Sequence, residues 1–223
     1  MQASSRIIAS SYNVEMDEQP FIRVDSLYTP ALEQKIINVG LGKRTVIFTS
    51  KNGVASVVQM LRGKQPEWNI YCLEGATRQA VQHYFTKATI KQDAKNAGDL
   101  ARTIDVNDIG NAVVFFCGNK RMDTIPELMK GMGVELEEII VYQTLYTPSI
   151  IMKKYDGILF FSKSAVESFA AANRIPVKTA LFAIGDTTAK ALKDYVGNTL
   201  PIIQSPSPSE KTLIETIIDF YKR

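Results

Sequence analysis

Two stretches of this chain repeat each other, and the repeat limits what the chain can fold into. Val46-Ile-Phe-Thr-Ser-Lys-Asn52 and Ile158-Leu-Phe-Phe-Ser-Lys-Ser164 each run from an unbroken apolar segment into a hydroxyl and a lysine. Ser50 and Ser162 are 112 residues apart. Apolar runs without polar alternation mark strands covered on both faces, as in parallel sheets. After each comes a helical pattern: Val54, Val57, Val58 and Leu61 in the first copy, Ala165–Ala172 in the second. Ser50 or Asn52 is suited to cap the first of these helices. The unit is strand, short hydroxyl-bearing loop, helix.

The echo continues in order. Ile70-Tyr-Cys-Leu-Glu-Gly-Ala-Thr77 resembles Leu181-Phe-Ala-Ile-Gly-Asp-Thr-Thr188, and at a spacing of 111 residues Thr77 falls on Thr188 and Tyr84 on Tyr195. Gly98–Ile104 resembles Lys211–Ile217 at a spacing of 113. Three matches in sequence at nearly one spacing predict two related α/β lobes.

The segments between them predict how the lobes connect. Arg6–Ser10 reads as a short first strand, followed by an irregular polar stretch to Pro20. Phe21–Tyr28 alternates at period two, a half-exposed strand, and Ile139–Tyr146 alternates in part. Between these two lies a full set of strands and helices, including a helix from Pro30 with Leu32, Ile36, Ile37 and Leu41 inward. Strands at Ile70–Leu73, Thr89–Gln92 and Ala112–Cys117 follow, with helices at Ala76–Phe85, Leu100–Ile104 and after Asp123. Val134–Glu138 leads from the last helix into Ile139. The expected organisation is therefore α/β with two related parallel-sheet, flavodoxin-like lobes. Residues 1–20 and 147–223 form lobe one, residues 30–137 form lobe two inserted into it, and residues 21–29 and 138–146 form a two-stranded bridge.

Composition removes several classes of function. Of 223 residues, 45% are hydrophobic, enough for substantial cores. Cys72 and Cys117 sit alone in apolar runs and read as buried, reduced thiols. His83 is the single histidine, which argues against a histidine-based metal site and a Ser-His-Asp triad. The net charge of +3 is dispersed in pairs such as Lys43-Arg44 and Lys120-Arg121, with no stripe for nucleic acid. Neither a signal peptide nor an apolar run of about 18 residues is present. A cytoplasmic protein without membrane or nucleic-acid partners is expected.

Ligands of parallel α/β sheets bind at the carboxyl ends of the strands. The loops there are Thr49–Asn52, Glu74–Thr77, Cys117–Lys120, Ser162–Ser164, Gly185–Thr188 and Ser205–Ser209. They are rich in glycine and hydroxyls and open helices, so their N–H groups and hydroxyls suit carboxylate or phosphate. Ordinary helix capping satisfies each loop equally well, and Ser205–Ser209 reads either as a ligand-side loop or as a plain cap. The set as a whole suggests a donor-lined site for a large polyanion. Phosphate-loop, dinucleotide and nucleophile-elbow motifs are absent.

In Val46–Ser50, Ile140-Val-Tyr-Gln-Thr144, Gly157–Val166, Phe182–Leu192 and Ser205–Ser209, in this order, the sequence resembles the uroporphyrinogen-III synthase family. The resemblance implies two α/β lobes on a two-stranded bridge. It implies a lyase of porphyrin and haem biosynthesis, working without cofactor or metal. Such an enzyme cyclises hydroxymethylbilane to uroporphyrinogen III with inversion of ring D and loss of water. It further implies that Tyr142 is catalytic, helping the terminal hydroxyl leave, and that Thr49, Ser50, Thr77, Ser162, Ser164, Thr187 and Thr188 bind the substrate. A monomer is expected, with room for transient contact with the upstream synthase. The alternative is a two-lobed module that binds an anionic metabolite without chemistry. Two departures from the family pattern stand out. Ser10–Asn13 replaces a Thr-Arg-Pro-like segment, and Glu74 falls where a glycine is expected before Thr77.

Overall fold

Val46, Ile47 and Phe48 have no solvent exposure and lie in β2 (Thr45–Phe48), inside a six-stranded sheet. The computed structural model describes residues 12, 14–107, 109 and 112–222, so the expected strand at Arg6–Ser10 lies outside the described residues. The other strands of this sheet are β1 (Ile22–Ser26), β3 (Asn69–Leu73), β4 (Thr89–Ala94), β5 (Ala112–Gly118) and β6 (Glu135–Tyr146). They are ordered β1-β6-β5-β2-β3-β4. From β6 to β4 every pairing is parallel. Along β1 and β6 the Leu27 N–H bonds the Val141 carbonyl at 2.9 Å and the Thr147 N–H bonds the Phe21 carbonyl at 3.0 Å. Partners that rise on one strand and fall on the other make this edge antiparallel.

Strand alternation sorts side chains onto two covered faces. Val46, Phe48, Val114 and Phe116 pack on one side with α1 (Pro30–Gly40), α2 (Lys51–Leu61) and α3 (Ala76–Tyr84). Ile47, Val113, Phe115 and Cys117 pack on the other with α4 (Ala97–Arg102) and α5 (Thr124–Gly131). Trp68, fully buried in the first core, donates its indole N–H to the Val39 carbonyl at 3.0 Å.

The second sheet is β7 (Gly157–Phe160), β8 (Ala180–Ala183) and β9 (Ile202–Gln204), all parallel. One face carries α6 (Lys163–Ala170) and α7 (Asp186–Val196) over Phe160, Leu181 and Ala183. The other carries α8 (Glu210–Tyr221) over Ala180 and Phe182. The result is a mixed α/β fold dominated by parallel strands, with eight helices among the described residues. It divides into two compact units, Val24–Thr144 and the described residues to Arg23 together with those from Leu145 onward.

Three details differ from expectation. Leu41, expected inward, is 76% exposed because α1 ends at Gly40, and Val39 takes the inward place. Tyr84 is exposed at the last position of α3, edge-on to His83. The run from Glu135 to Glu138 is already strand, paired with β5, because its glutamates point to solvent while Leu136 and Ile139 turn inward.

Candidate active site

The phenol of Tyr142 owes its place to an irregularity of the sheet. β5 and β6 pair in step from Ala112↔Glu135 to Cys117↔Ile140, but the next pair is Gly118↔Tyr142. One extra residue on β6, Val141, makes a bulge, a device that turns side chains to a new heading. Ile139 and Val141 point into the core, and the bulge brings Tyr142 against that same core, where strict alternation would send it to the opposite face.

Both neighbouring strands hold the bulge. The Val141 carbonyl accepts from Leu27 and the Tyr142 carbonyl accepts from the Asn119 N–H at 3.2 Å. Beyond the end of β5, the Asn119 amide continues the ladder. Its Oδ1 accepts from the Thr144 N–H at 2.8 Å, and its Nδ2 reaches the Thr144 carbonyl at 3.5 Å.

Ser50 ends the loop after β2 and is the N-cap of α2, its Oγ accepting from the Asn52 N–H at 3.2 Å. The same side chain lies near the Tyr142 phenol, close enough to favour its ionised form. Loss of water around the phenol raises its pKa above the ordinary 10.0; the nearby Ser50 side chain opposes that rise and the neighbouring Cys117 adds to it. The phenol is therefore protonated at neutral pH, as a donor must be. Thr49 is half-buried beside it.

Thr77 lies in the first turn of α3, 7% exposed. The N-cap there is Gly75, at φ +71, and no side chain caps the helix. A glycine is thus present at this helix start, one residue after Glu74. Glu74 itself is exposed, with its N–H bonded to the Ala94 carbonyl. The second copy has Gly185 as N-cap of α7, again without a side-chain cap. Two uncapped helix starts leave backbone N–H groups open to an anion. Gly75 and Gly185 are 110 residues apart, against the 111 that pairs Thr77 with Thr188, yet both threonines are buried. Thr187 is exposed.

Ser162 caps α6 as Ser50 caps α2, its Oγ accepting from the Ala165 N–H at 3.2 Å, and Ser164 is half-buried in the first turn. The repeated sequence therefore builds a repeated cap. Ser205–Ser209 is turned in on itself. Ser205 Oγ donates to the Ser207 carbonyl at 2.6 Å, and the Ser209 hydroxyl caps α8 by accepting from the Thr212 N–H. Of its hydroxyls, Ser209 is the cap, while Ser205 bonds within the segment and Ser207 bonds the Thr212 hydroxyl.

In the Val24–Thr144 unit, then, Ser50 lies near Tyr142, and Thr49 and Thr77 follow the adjacent parallel strands β2 and β3. In the other unit Ser162, Ser164, Thr187 and Thr188 follow the adjacent strands β7 and β8. Sequence reasoning missed Gly118 and Asn119 as individual residues. Their only signal was a glycine and an asparagine directly after a buried strand. No cluster of three or more metal-binding side chains occurs among the described residues.

These features define an α/β protein with donor-rich helix starts at its strand ends and, in the Val24–Thr144 unit, a phenol largely shielded from water. A family model described as uroporphyrinogen-III synthase HemD matches residues 9–215. The chain belongs to the uroporphyrinogen-III synthase family, cofactor-independent cyclising enzymes of tetrapyrrole biosynthesis whose substrate is a tetrapyrrole. Its fold is similar to that of uroporphyrinogen-III synthetase from Helicobacter pylori, at 16% identity and a TM-score of 0.64 over 92% of this chain and 95% of that one. A mutant selenomethionine form of the Thermus thermophilus synthase matches at 13% identity and a TM-score of 0.70, covering 99% and 93%. The wild-type Thermus enzyme in another crystal form matches at 12% identity and 0.52, covering 98% and 93%. No described helix is long and apolar enough to cross a membrane.

Proposed function

We propose that this chain converts hydroxymethylbilane to uroporphyrinogen III, with Tyr142 assisting departure of the terminal hydroxyl. The observation that carries the proposal is the Tyr142 phenol, short of water and close to Ser50 at the end of a parallel strand. A protonated phenol can give a hydrogen bond or proton to a leaving hydroxide, after which the substrate's own electrons close the ring. Thr49, Ser50 and Thr77 in one unit, and Ser162, Ser164, Thr187 and Thr188 in the other, bind the substrate's carboxylates with nearby helix N–H groups. Selectivity comes from holding the pyrroles so that only closure with inverted ring D is within reach, a matter of positioning more than of acid strength.

On this reading the two units are the two flavodoxin-like lobes of the family, and β1 and β6 are the two connections between them. The enzyme works in the cytoplasm as a monomer, with at most transient contact with the synthase that supplies its substrate. The test generates hydroxymethylbilane in place, adds the protein, oxidises the products and resolves type I from type III isomers. Predominantly type III product is expected. Type I product alone, at the uncatalysed rate, overturns the reading and favours a module that only binds an anionic metabolite.

A further inference from the structure

Gly118, the last residue of β5, lies directly under the ring of Tyr142. A Cβ built on it would come 2.9 Å from the phenol oxygen and closer still to Cε2 and Cζ of the ring. That space is occupied by an aromatic face, so it is denied to any side chain at position 118. Gly118 is buried, and its backbone lies outside the left-handed region, so conformation alone would accept any residue there. Close approach is therefore the reason for glycine at this point of the strand. Gly53, in the first turn of α2, borders the same ring, with a hypothetical Cβ 3.7 Å from Tyr142 Cε1. The bulge at Val141 and the Asn119 amide fix the backbone on either side of the phenol.

We propose that Gly118 is a positioning residue of the site, its missing side chain forming the seat that holds the Tyr142 ring in place near Ser50. The catalytic meaning of the seat rests on the role given to Tyr142 above; the seat itself rests on packing alone. In Gly118→Ala the group that must yield is the far end of the Tyr142 side chain, since the three atoms nearest the added methyl all belong to it. The ring swings out, away from Ser50, and gains water. The rest of the sheet has no reason to move.

The experiment is a cycle of Gly118→Ala, Tyr142→Ala and the double variant, with Tyr142→Phe as a spectroscopic reference. Subtracting the alkaline absorbance titration of Tyr142→Phe from that of the wild type isolates the Tyr142 phenol. In Gly118→Ala that titration should move down towards the ordinary tyrosine range. Type III formation should lose roughly ten- to a hundredfold in kcat with KM little changed, the scale expected of a misplaced catalytic group. Adding Gly118→Ala to Tyr142→Ala should change neither the denaturation midpoint nor the remaining rate, because the clashing ring is gone.

The proposal fails if Gly118→Ala leaves the phenol titration and kcat unchanged. It fails equally if Gly118→Ala costs as much stability without the ring as with it. Should Gly118→Ala alone fail to fold, a folded double variant supports the seat, and an unfolded one overturns it. If the wild type makes no type III product, the function proposed above falls, while the titration and the stability cycle still decide the seat.

Discussion

Tyr142 combines two demands that a surface tyrosine does not meet. It is largely shielded from water, which keeps its proton on, and its ring packs on Gly118 near a serine that also caps a helix. Tyr142→Phe keeps the ring and its seat but removes the donor. The expected outcome is a fall in kcat of roughly a hundredfold, within the range for a single acid catalyst, with substrate affinity largely kept. Because the phenol's pKa is raised above 10.0, the rate should stay level through neutral pH and decline only as the phenol ionises above that value. Type III formation followed against pH checks this, with Tyr142→Phe lacking the decline. The cysteines titrate in the same direction. Burial raises both thiols from 9.0 to about 11, with Asp93 adding to the rise at Cys72 and Glu138 at Cys117. A folded pKa above the unfolded one gives stability that is complete below pH 9 and lost as the pH climbs towards 11. Urea midpoints should therefore hold to about pH 9 and then fall, and the Cys72→Ala and Cys117→Ala double variant should lose part of that fall.

At the scale of elements, the two serine caps offer a controlled comparison. Ser50 and Ser162 each accept a backbone N–H at 3.2 Å at the start of a helix, but only Ser50 also meets a phenol. Replacing either by alanine should cost about 1 kcal/mol of stability, read from denaturant melts. Only Ser50→Ala should also move the Tyr142 titration. The strand–cap–helix units were legible because period, capping residue and apolar run agreed there. Ser50 and Ser162 fall where the repeat puts them. The ends of elements were less legible. Leu41 and Tyr84 continue a helical pattern that the backbone abandons at Gly40 and Tyr84, so periodicity assigned them a burial they do not have. The Val141 bulge was invisible because a parallel register is set by a partner strand more than 20 positions away. Without the bulge, neither the heading of Tyr142 nor the need for Gly118 can be read. Asn119 escaped for a related reason: its side chain acts as backbone, which no residue pattern encodes.

At the scale of the molecule, the Val24–Thr144 unit has its own sheet and two cores, and its ends leave through paired strands. Segments whose ends meet in this way tolerate separation from the surrounding chain. A fragment of residues 20–148, which keeps β1 and β6 whole, should fold alone, with protected amides in β2 and β5 by hydrogen exchange. The placement of the chain's only tryptophan has a practical consequence. Trp68 is sealed in the core of this unit with its indole N–H bound to Val39. Its fluorescence is thus an optical reporter on one unit and silent on the other, whereas circular dichroism sums both. If the two signals change at the same denaturant concentration, the units unfold as one cooperative body. If they part, the native protein itself supplies the label that separates the two transitions.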